Sequence, residues 1–162
     1  MRTYARTRGK DVELFGLIGM LHDFDYEKYP TQEEHPYTGA KILAERGYPE
    51  EVITAIMGHA PYTGVPRETL AAQALFAFDE LTGFIFAVTF VRPSRSIREV
   101  TPKSVKKKLK QRSFAAAVSR DDIEQGITEL GVDRTEHIQF VIDALAQIDE
   151  ELGLQGTLDI TS

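Results

Sequence analysis

The sequence predicts an all-α protein. Nearly every segment places apolar residues at helical spacing, and no stretch shows the alternation that marks a half-buried strand. Glycine or proline separates these segments at intervals of about one helix length. Apolar residues make up 42% and charged residues 27% of the 162 residues, a composition typical of one globular domain.

Four helices are predicted in the first part of the chain. They run from Met1 to Arg8, from about Asp11 to Leu21, from Pro36 to Gly47, and from Pro49 to about Gly58. Proline suits the first turn of a helix and glycine its end, which fixes the third and fourth helices. Residues 24–35 form a loop rich in acids and tyrosine.

Residues 69–91 are apolar almost without interruption, and these 23 residues are enough to span a bilayer. Gln73, Asp79 and Glu80 stand near the middle of the stretch, where charged groups are costly in lipid, so a buried core helix is favoured.

Three more helices are predicted after residue 100. The first runs from Thr101–Pro102 to about Val118, the second follows a capping box at 119–122 and ends near Gly131, and the third runs from about Arg134 to Leu152. The last of them is expected to bury Ile138, Val141, Ile142, Leu145 and Ile148.

Charge is unevenly distributed along the chain. The net charge is −6, but residues 92–112 carry nine basic residues against Glu99, a net +8, which leaves −14 for the remainder. Such a segment indicates either an anion-binding face or simply a solvated helix surface. Nucleic-acid binding through it ranks last, because the total charge is negative and aromatic residues are not interleaved with the basic ones.

The sequence contains no cysteine, so a metal ion would be held by histidine, aspartate and glutamate. Residues 1–10 lack the apolar core of a signal peptide, and a reducing cytoplasm is the expected location.

Three histidines stand at predicted helix ends. His22 and Asp23 follow an apolar helix, His35 precedes the Pro36 helix, and His59 closes the next helix. Imidazole and carboxylate together suit a divalent metal, although each histidine alone is more often a capping or surface residue.

Asp79 lies in an apolar helix, where a buried carboxylate needs a partner or a metal, unless it shares a solvent stripe with Glu80. The fourth histidine, His137, is interpreted as structural.

These motifs together resemble the HD superfamily of metal-dependent phosphohydrolases, in particular its small stand-alone domains of the HDIG type. The resemblance rests on HD at 22–23, HPYTGAKIL at 35–43, GHA at 58–60 and the aspartate at 79, and it extends over nearly the whole chain. It implies an HD-domain helical bundle with additional C-terminal helices. One domain is expected over 1–162, with a metal-site core at 1–91 and a basic linker and C-terminal helices at 92–162.

The resemblance also implies a site. His22, Asp23 and Asp79 would bind a first divalent ion, and His35 and His59 a second, with Asp23 bridging the two ions and serving as the catalytic carboxylate. The ions, one or two, would be Mn, Mg, Fe, Ni, Co or Zn. The implied reaction is hydrolysis of a small phosphorylated substrate, either a phosphomonoester or a nucleotide. Three lysines are expected to contact the substrate phosphate: Lys103, Lys106 and Lys107.

The chain departs from the superfamily pattern in one respect. Members carry a further histidine on the preceding helix, whereas no histidine precedes His22 here, and residues 1–8 match only the last turns of that helix. One expectation is that the chain starts inside that helix and covers the exposed apolar patch by forming a homo-oligomer. An alternative function is therefore a catalytically impaired module that binds an anion or a nucleotide. No membrane partner is expected.

Overall fold

The computed structural model describes residues 1–156. Over that range it contains eight α-helices: α1 (Arg2–Arg8), α2 (Val12–Leu21), α3 (Tyr37–Glu45), α4 (Glu50–His59), α5 (Leu70–Phe90), α6 (Pro102–Leu109), α7 (Arg120–Leu130) and α8 (Arg134–Ala146). Single turns of 3₁₀ helix lie at Pro61–Thr63 and Ile97–Glu99. Within these residues there is no strand, only an isolated bridge between Ser96 and Gln155, and the predicted all-α class is confirmed.

Two compact units make up the chain, one of Met1–Phe76 and one that begins at Ala77. The boundary falls inside α5, so the first turns of this helix belong to the first unit and the rest to the second. The single domain expected over 1–162 remains a prediction, and its last six residues lie outside the described range.

The first unit is built on well-marked helix ends. Gly9 ends α1 in the left-handed conformation, at φ 60°, which glycine adopts without strain. The carboxylate of Asp11 caps α2 by accepting the N–H groups of Glu13 and Leu14 at 2.9 and 3.0 Å. Helix α2 packs against α1 and α4, and α3 packs against α4. The buried apolar residues of this unit include Tyr4, Ala5, Phe15, Ile18, Leu43, Val52, Ala55 and Ile56.

In the second unit, side-chain caps also start the helices. Thr101 and Ser104 form a reciprocal capping box at α6, and Asp133 caps α8. Helix α8 packs against α6 and against the 3₁₀ turn at Ile97–Glu99. Buried apolar residues of this unit include Phe84, Ile85, Val88, Ile97, Val105, Ile123, Ile138, Val141 and Ile142.

The helix predicted from Thr101 to Val118 is too long, since α6 ends at Leu109. Arg120 explains the difference. Its guanidinium donates hydrogen bonds to main-chain carbonyls that would accept the helix's own N–H groups if α6 continued. The carbonyls that accept from it are those of Gln111, Phe114, Ala115 and Val118. Ser119 caps α7 by accepting the Asp122 N–H at 3.1 Å, but the predicted capping box is incomplete, because the Ser119 N–H donates to the Glu80 carboxylate at 3.2 Å.

The last helix was also predicted too long, and its expected burial of Ile148 is wrong. Helix α8 ends at Ala146, and Ile148 is 41% exposed. The chain beyond it turns so that Asp149 pairs with Arg98 at 2.6 Å and Leu154 is fully buried. Because the chain turns here, Ile148 does not lie on the buried apolar face of α8, as it would if the helix were longer.

By length and composition, one helix of the described residues, Leu70–Phe90, would be able to cross a membrane. In its most apolar window, 61% of the residues are buried within the protein, as the prediction of a buried core helix requires. The cytoplasmic location remains a prediction.

Candidate metal centre

The first unit brings the His22–Asp23 pair together with the two other predicted histidines. His22 caps the C-terminus of α2, and Asp23 opens the turns that follow, where the chain is free to aim both side chains at one point. His35 precedes Pro36, the N-cap residue of α3, and His59 is the last residue of α4. Because α2 and α3 each pack against α4, the ends of three helices converge at this place.

The distances within the group are short. Nε2 of His35 lies 3.2 Å from Nε2 of His59, and these two atoms lie 3.4 and 3.5 Å from Oδ1 of Asp23. Nε2 of His22 lies 3.4 Å from the other carboxylate oxygen, Oδ2. Asp23, His35 and His59 each offer a ligand atom within 4.8 Å of the others.

Each of the three rings is held by its other nitrogen. Nδ1 faces the carbonyl of Gly19 at 2.9 Å in His22, the carbonyl of Ile56 in His59, and Oδ1 of Asp25 at 2.8 Å in His35. Carbonyl and carboxylate oxygens only accept hydrogen bonds, so Nδ1 is the donor in every case. In the neutral rings all three Nε2 atoms therefore carry a lone pair and no proton.

This arrangement fits a metal ion. The Nε2 lone pairs of His35 and His59 lie beside one oxygen of the Asp23 carboxylate, and without a cation between them these groups repel. The Nε2 lone pair of His22 lies beside the other oxygen. Ligands bound to one ion at about 2.0–2.1 Å lie about 3 Å apart, which matches the separations observed. Hydrogen bonds that fix Nδ1 and leave Nε2 for the ion are the usual support for histidine ligands.

The carboxylate of Asp23 is ionised by its surroundings. Partial burial opposes ionisation of Asp23, but when the imidazoles of His22 and His59 are protonated, their hydrogen bonds and charge outweigh it and hold the pKa of Asp23 well below its usual range. The side chain is 50% exposed, whereas those of His35 and His59 are 4% and 7% exposed. The site thus has a buried imidazole wall and a carboxylate accessible from solvent.

Sequence reasoning missed Asp25. This residue is buried, and it accepts the N–H of Gly39 at 2.8 Å as well as that of the His35 ring. A Cβ at position 39 would lie 2.7 Å from Cγ of Asp25, so only glycine leaves room for this contact. Asp25 was hidden among the acids of the loop at 24–35, and no spacing distinguished it from them.

Tyrosine side chains lie around His35. The Tyr62 hydroxyl donates to the His35 carbonyl at 2.7 Å, and the Tyr26 ring packs edge-on against the His35 ring at 5.1 Å. Burial raises the pKa of Tyr62, and the nearby Tyr37, Tyr26 and acidic groups add to the effect. The partly exposed tyrosines therefore form a neutral, polar-tipped rim on this side of the site.

The remaining predicted site residues belong to the second unit. Asp79 is half-buried on α5, and its role as a ligand with His22 and Asp23 stays a prediction. Burial raises the pKa of the neighbouring Glu80, and the charge of Asp79 raises it further. Lys103, Lys106 and Lys107 all line one cavity of this unit.

His137 fits the structural role predicted for it. Its Nε2 donates to the carbonyl of Ala77 at 3.0 Å, and its ring stacks on Phe78.

Comparison with known proteins gave one result for the family. The sequence model of the HD domain family matches residues 1–83, slightly more than half of the chain. This range contains all five predicted metal ligands. Searches of curated proteins and of solved structures returned no match. The match agrees with the histidine and aspartate cluster and with the all-α fold, and the chain belongs to the HD-domain family, within the superfamily of metal-dependent phosphohydrolases.

Proposed function

We propose that this protein hydrolyses a small phosphomonoester or a nucleotide with the help of one or two divalent metal ions. The observation that carries the proposal is the convergence of three Nε2 atoms, each without a proton in the neutral ring, on the Asp23 carboxylate. A divalent ion held there supplies Lewis acidity, which lowers the pKa of water and stabilises negative charge developing on a phosphate.

The carboxylate of Asp23 is suited to bridging two ions. Its Oδ1 faces His35 and His59, and its Oδ2 faces His22, so the two oxygens serve different imidazoles. Under this proposal Asp79 joins His22 on the Oδ2 side, as the family resemblance implies. Asp23 would then hold both ions, and its exposed edge would leave the substrate phosphate access to them.

The ligand set also favours some ions over others. Imidazole nitrogen suits Fe, Ni, Co and Zn, whereas Mg prefers sites made of oxygen. Because the site offers three imidazoles and only one or two carboxylates, we propose that it binds a transition-metal ion. Among these ions, Mn is the one that best tolerates oxygen ligands.

The test is a metal-dependent phosphatase screen on protein stripped with chelator and reloaded with Mn, Mg, Fe, Ni, Co or Zn. Phosphomonoesters and nucleotides serve as substrates. Asp23→Ala should lower the rate by more than about a hundredfold, because metal activation contributes several kcal/mol to such reactions. Circular dichroism checks that the variant is folded.

Glu27→Ala is the matched control, since Glu27 is an exposed acid of the same loop. Full activity in a folded Asp23→Ala protein would remove the HD pair from the mechanism. Tight metal binding without turnover of any substrate would instead favour the alternative, a binding module that lacks catalysis.

A further inference from the structure

The second unit contains a cavity of about 880 Å³, whose lining includes the lysines predicted to contact the substrate phosphate. Its wall comes from α6, from the turn after α6, and from the first halves of α7 and α8. The lining side chains are Lys103, Lys106, Lys107, Leu109, Lys110, Arg112, Arg120, Asp121, Glu124 and Arg134. A volume of this size is typical of sites for small molecules.

The lining of this cavity is strongly cationic. It includes seven basic and two acidic side chains, a net formal charge of +5 in a chain whose total is −6. One of the acids, Glu124, is already paired with Arg134. Low-dielectric walls lined by one sign of charge concentrate ions of the opposite sign.

Most of these cations have no partner of their own. Within residues 1–156, no ion pair is formed by Lys103, Lys107, Lys110 or Arg112, and all four are exposed. Arg120 differs, because its guanidinium holds the carbonyls of the turn at 111–118 and stacks on Phe84. Arg120 therefore shapes the wall, and the unpaired lysines and Arg112 provide the charge.

Four of the lysines occupy a single face of α6 and its C-terminal cap. Lys103, Lys106, Lys107 and Lys110 follow the i, i+3, i+4, i+7 spacing that aligns side chains on one side of a helix. Like charges at this spacing destabilise a helix. A bound anion would remove that repulsion.

Stabilisation of the helix dipole explains only part of this pattern. Cations are favourable near the C-terminus of a helix, which accounts for Lys106, Lys107 and Lys110. Lys103, however, lies in the first turn of α6, where the dipole disfavours a positive charge. Its place beside the other cations of the cavity points to a ligand instead.

We propose that this cavity binds a small anion with several linked phosphate groups, such as a triphosphate, either inorganic or as part of a nucleotide. The lysine face extends over eight residues, about 10 Å of helix, which is more than one phosphate group can reach. This inference goes beyond the proposed hydrolase activity, because it requires neither a metal ion nor turnover.

The test is isothermal titration of the full chain with sodium triphosphate, with a nucleoside triphosphate and with orthophosphate. The protein is first stripped of metal and then dialysed free of chelator, which removes binding through a metal ion. Both triphosphates should bind, and orthophosphate should bind far more weakly. Affinity should fall as salt is raised from about 0.05 to about 0.5 M, because exposed charges are screened.

The variant Lys103→Gln/Lys107→Gln/Lys110→Gln should bind triphosphate about tenfold to a hundredfold more weakly, since each exposed ion pair contributes up to a factor of about five. The control Lys10→Gln/Lys41→Gln/Arg46→Gln removes three exposed charges from the first unit and should bind like the parent. Binding only of the nucleotide would identify a nucleoside-bearing ligand, and equal binding of both triphosphates a phosphate-chain site.

Three results would overturn the proposal. They are no binding of either triphosphate, an equal loss of affinity in the control variant, and tighter binding of duplex DNA than of triphosphate. None of them bears on the metal centre, and an inactive enzyme would leave this binding result unchanged.

Discussion

At the scale of single residues, Asp25 acts on the metal centre through His35. It fixes the ring by accepting the Nδ1–H, and its second oxygen is occupied by the Gly39 N–H. Asp25→Asn should keep the fold but weaken metal binding by about tenfold to a hundredfold, the usual effect of losing such a support. Titration with Mn or Ni measures this, and the exposed Glu27→Gln is the control. Equal affinities in the two variants would show that Asp25 has no influence on the metal.

A second prediction at this scale concerns pH. Burial lowers the pKa of His137 from its ordinary value of 6.5, more than the hydrogen bond to the Ala77 carbonyl raises it. The unfolded chain therefore takes up this proton at a higher pH than the folded protein. The free energy of unfolding should fall below pH 6.5, by at most about 1.4 kcal/mol per pH unit from this residue.

Urea denaturation at about pH 7.5 and about pH 5.5 tests the effect, with His137→Gln as the comparison because its amide still donates a hydrogen bond. The variant should lose less stability between the two pH values than the parent. The same loss in both proteins would show that His137 does not cause the pH dependence.

The sequence was informative about residues whose chemistry is unusual for their position. The His22–Asp23 pair, His35 and His59 were predicted because three histidines at helix ends, together with an acid inside an apolar helix, are uncommon by chance. Asp25 was not, because its role depends on the close approach of the Gly39 backbone, which only the folded chain creates. Whether Asp79 joins them depends on the arrangement of the two units and stays a prediction.

At the scale of helices, two glycines predict opposite effects of the same substitution. Gly39→Ala in α3 should destabilise the protein by about 1–3 kcal/mol, because the added methyl group meets the Asp25 carboxylate. Gly83→Ala in α5 should stabilise it by about 0.5–1 kcal/mol, because position 83 is exposed, nothing lies within 4 Å of the new Cβ, and alanine favours a helix.

Thermal unfolding of both variants and of the parent checks these signs. A stabilised Gly39→Ala protein would mean that Asp25 moves away at no cost. Metal affinity should fall in Gly39→Ala alone, since Asp25 supports His35.

The helices themselves were largely predictable, because their ends carry local signals. Gly9, Asp11, Pro36, Ser119 and Gly131 mark starts and stops through their own backbone or side chain. The segment after α6 was not predictable in this way. Its alanines favour a helix, but the Arg120 guanidinium, which follows the segment in the chain, takes its carbonyls, and a contact of that kind leaves no periodic pattern.

At the scale of the whole molecule, α5 is one continuous helix with residues in both units. Metal binding at the first unit should therefore stabilise α7 and α8 as well, if unfolding is cooperative along the chain. At a free metal concentration of a hundred times the Kd, the gain is about 2.7 kcal/mol. Hydrogen exchange with and without metal measures it, and slower exchange confined to residues 1–76 would show that the units unfold separately.

The fixed orientation of the three imidazoles has a consequence for spectroscopy. Each ring presents one protonated nitrogen to the protein and one bare nitrogen to the site, so the two nitrogens should give distinct ¹⁵N resonances in labelled protein. A diamagnetic ion such as Zn should shift the Nε2 signals of His22, His35 and His59 and leave their Nδ1 signals nearly in place. The His137 ring, with its proton on Nε2, provides an internal reference of the opposite tautomer.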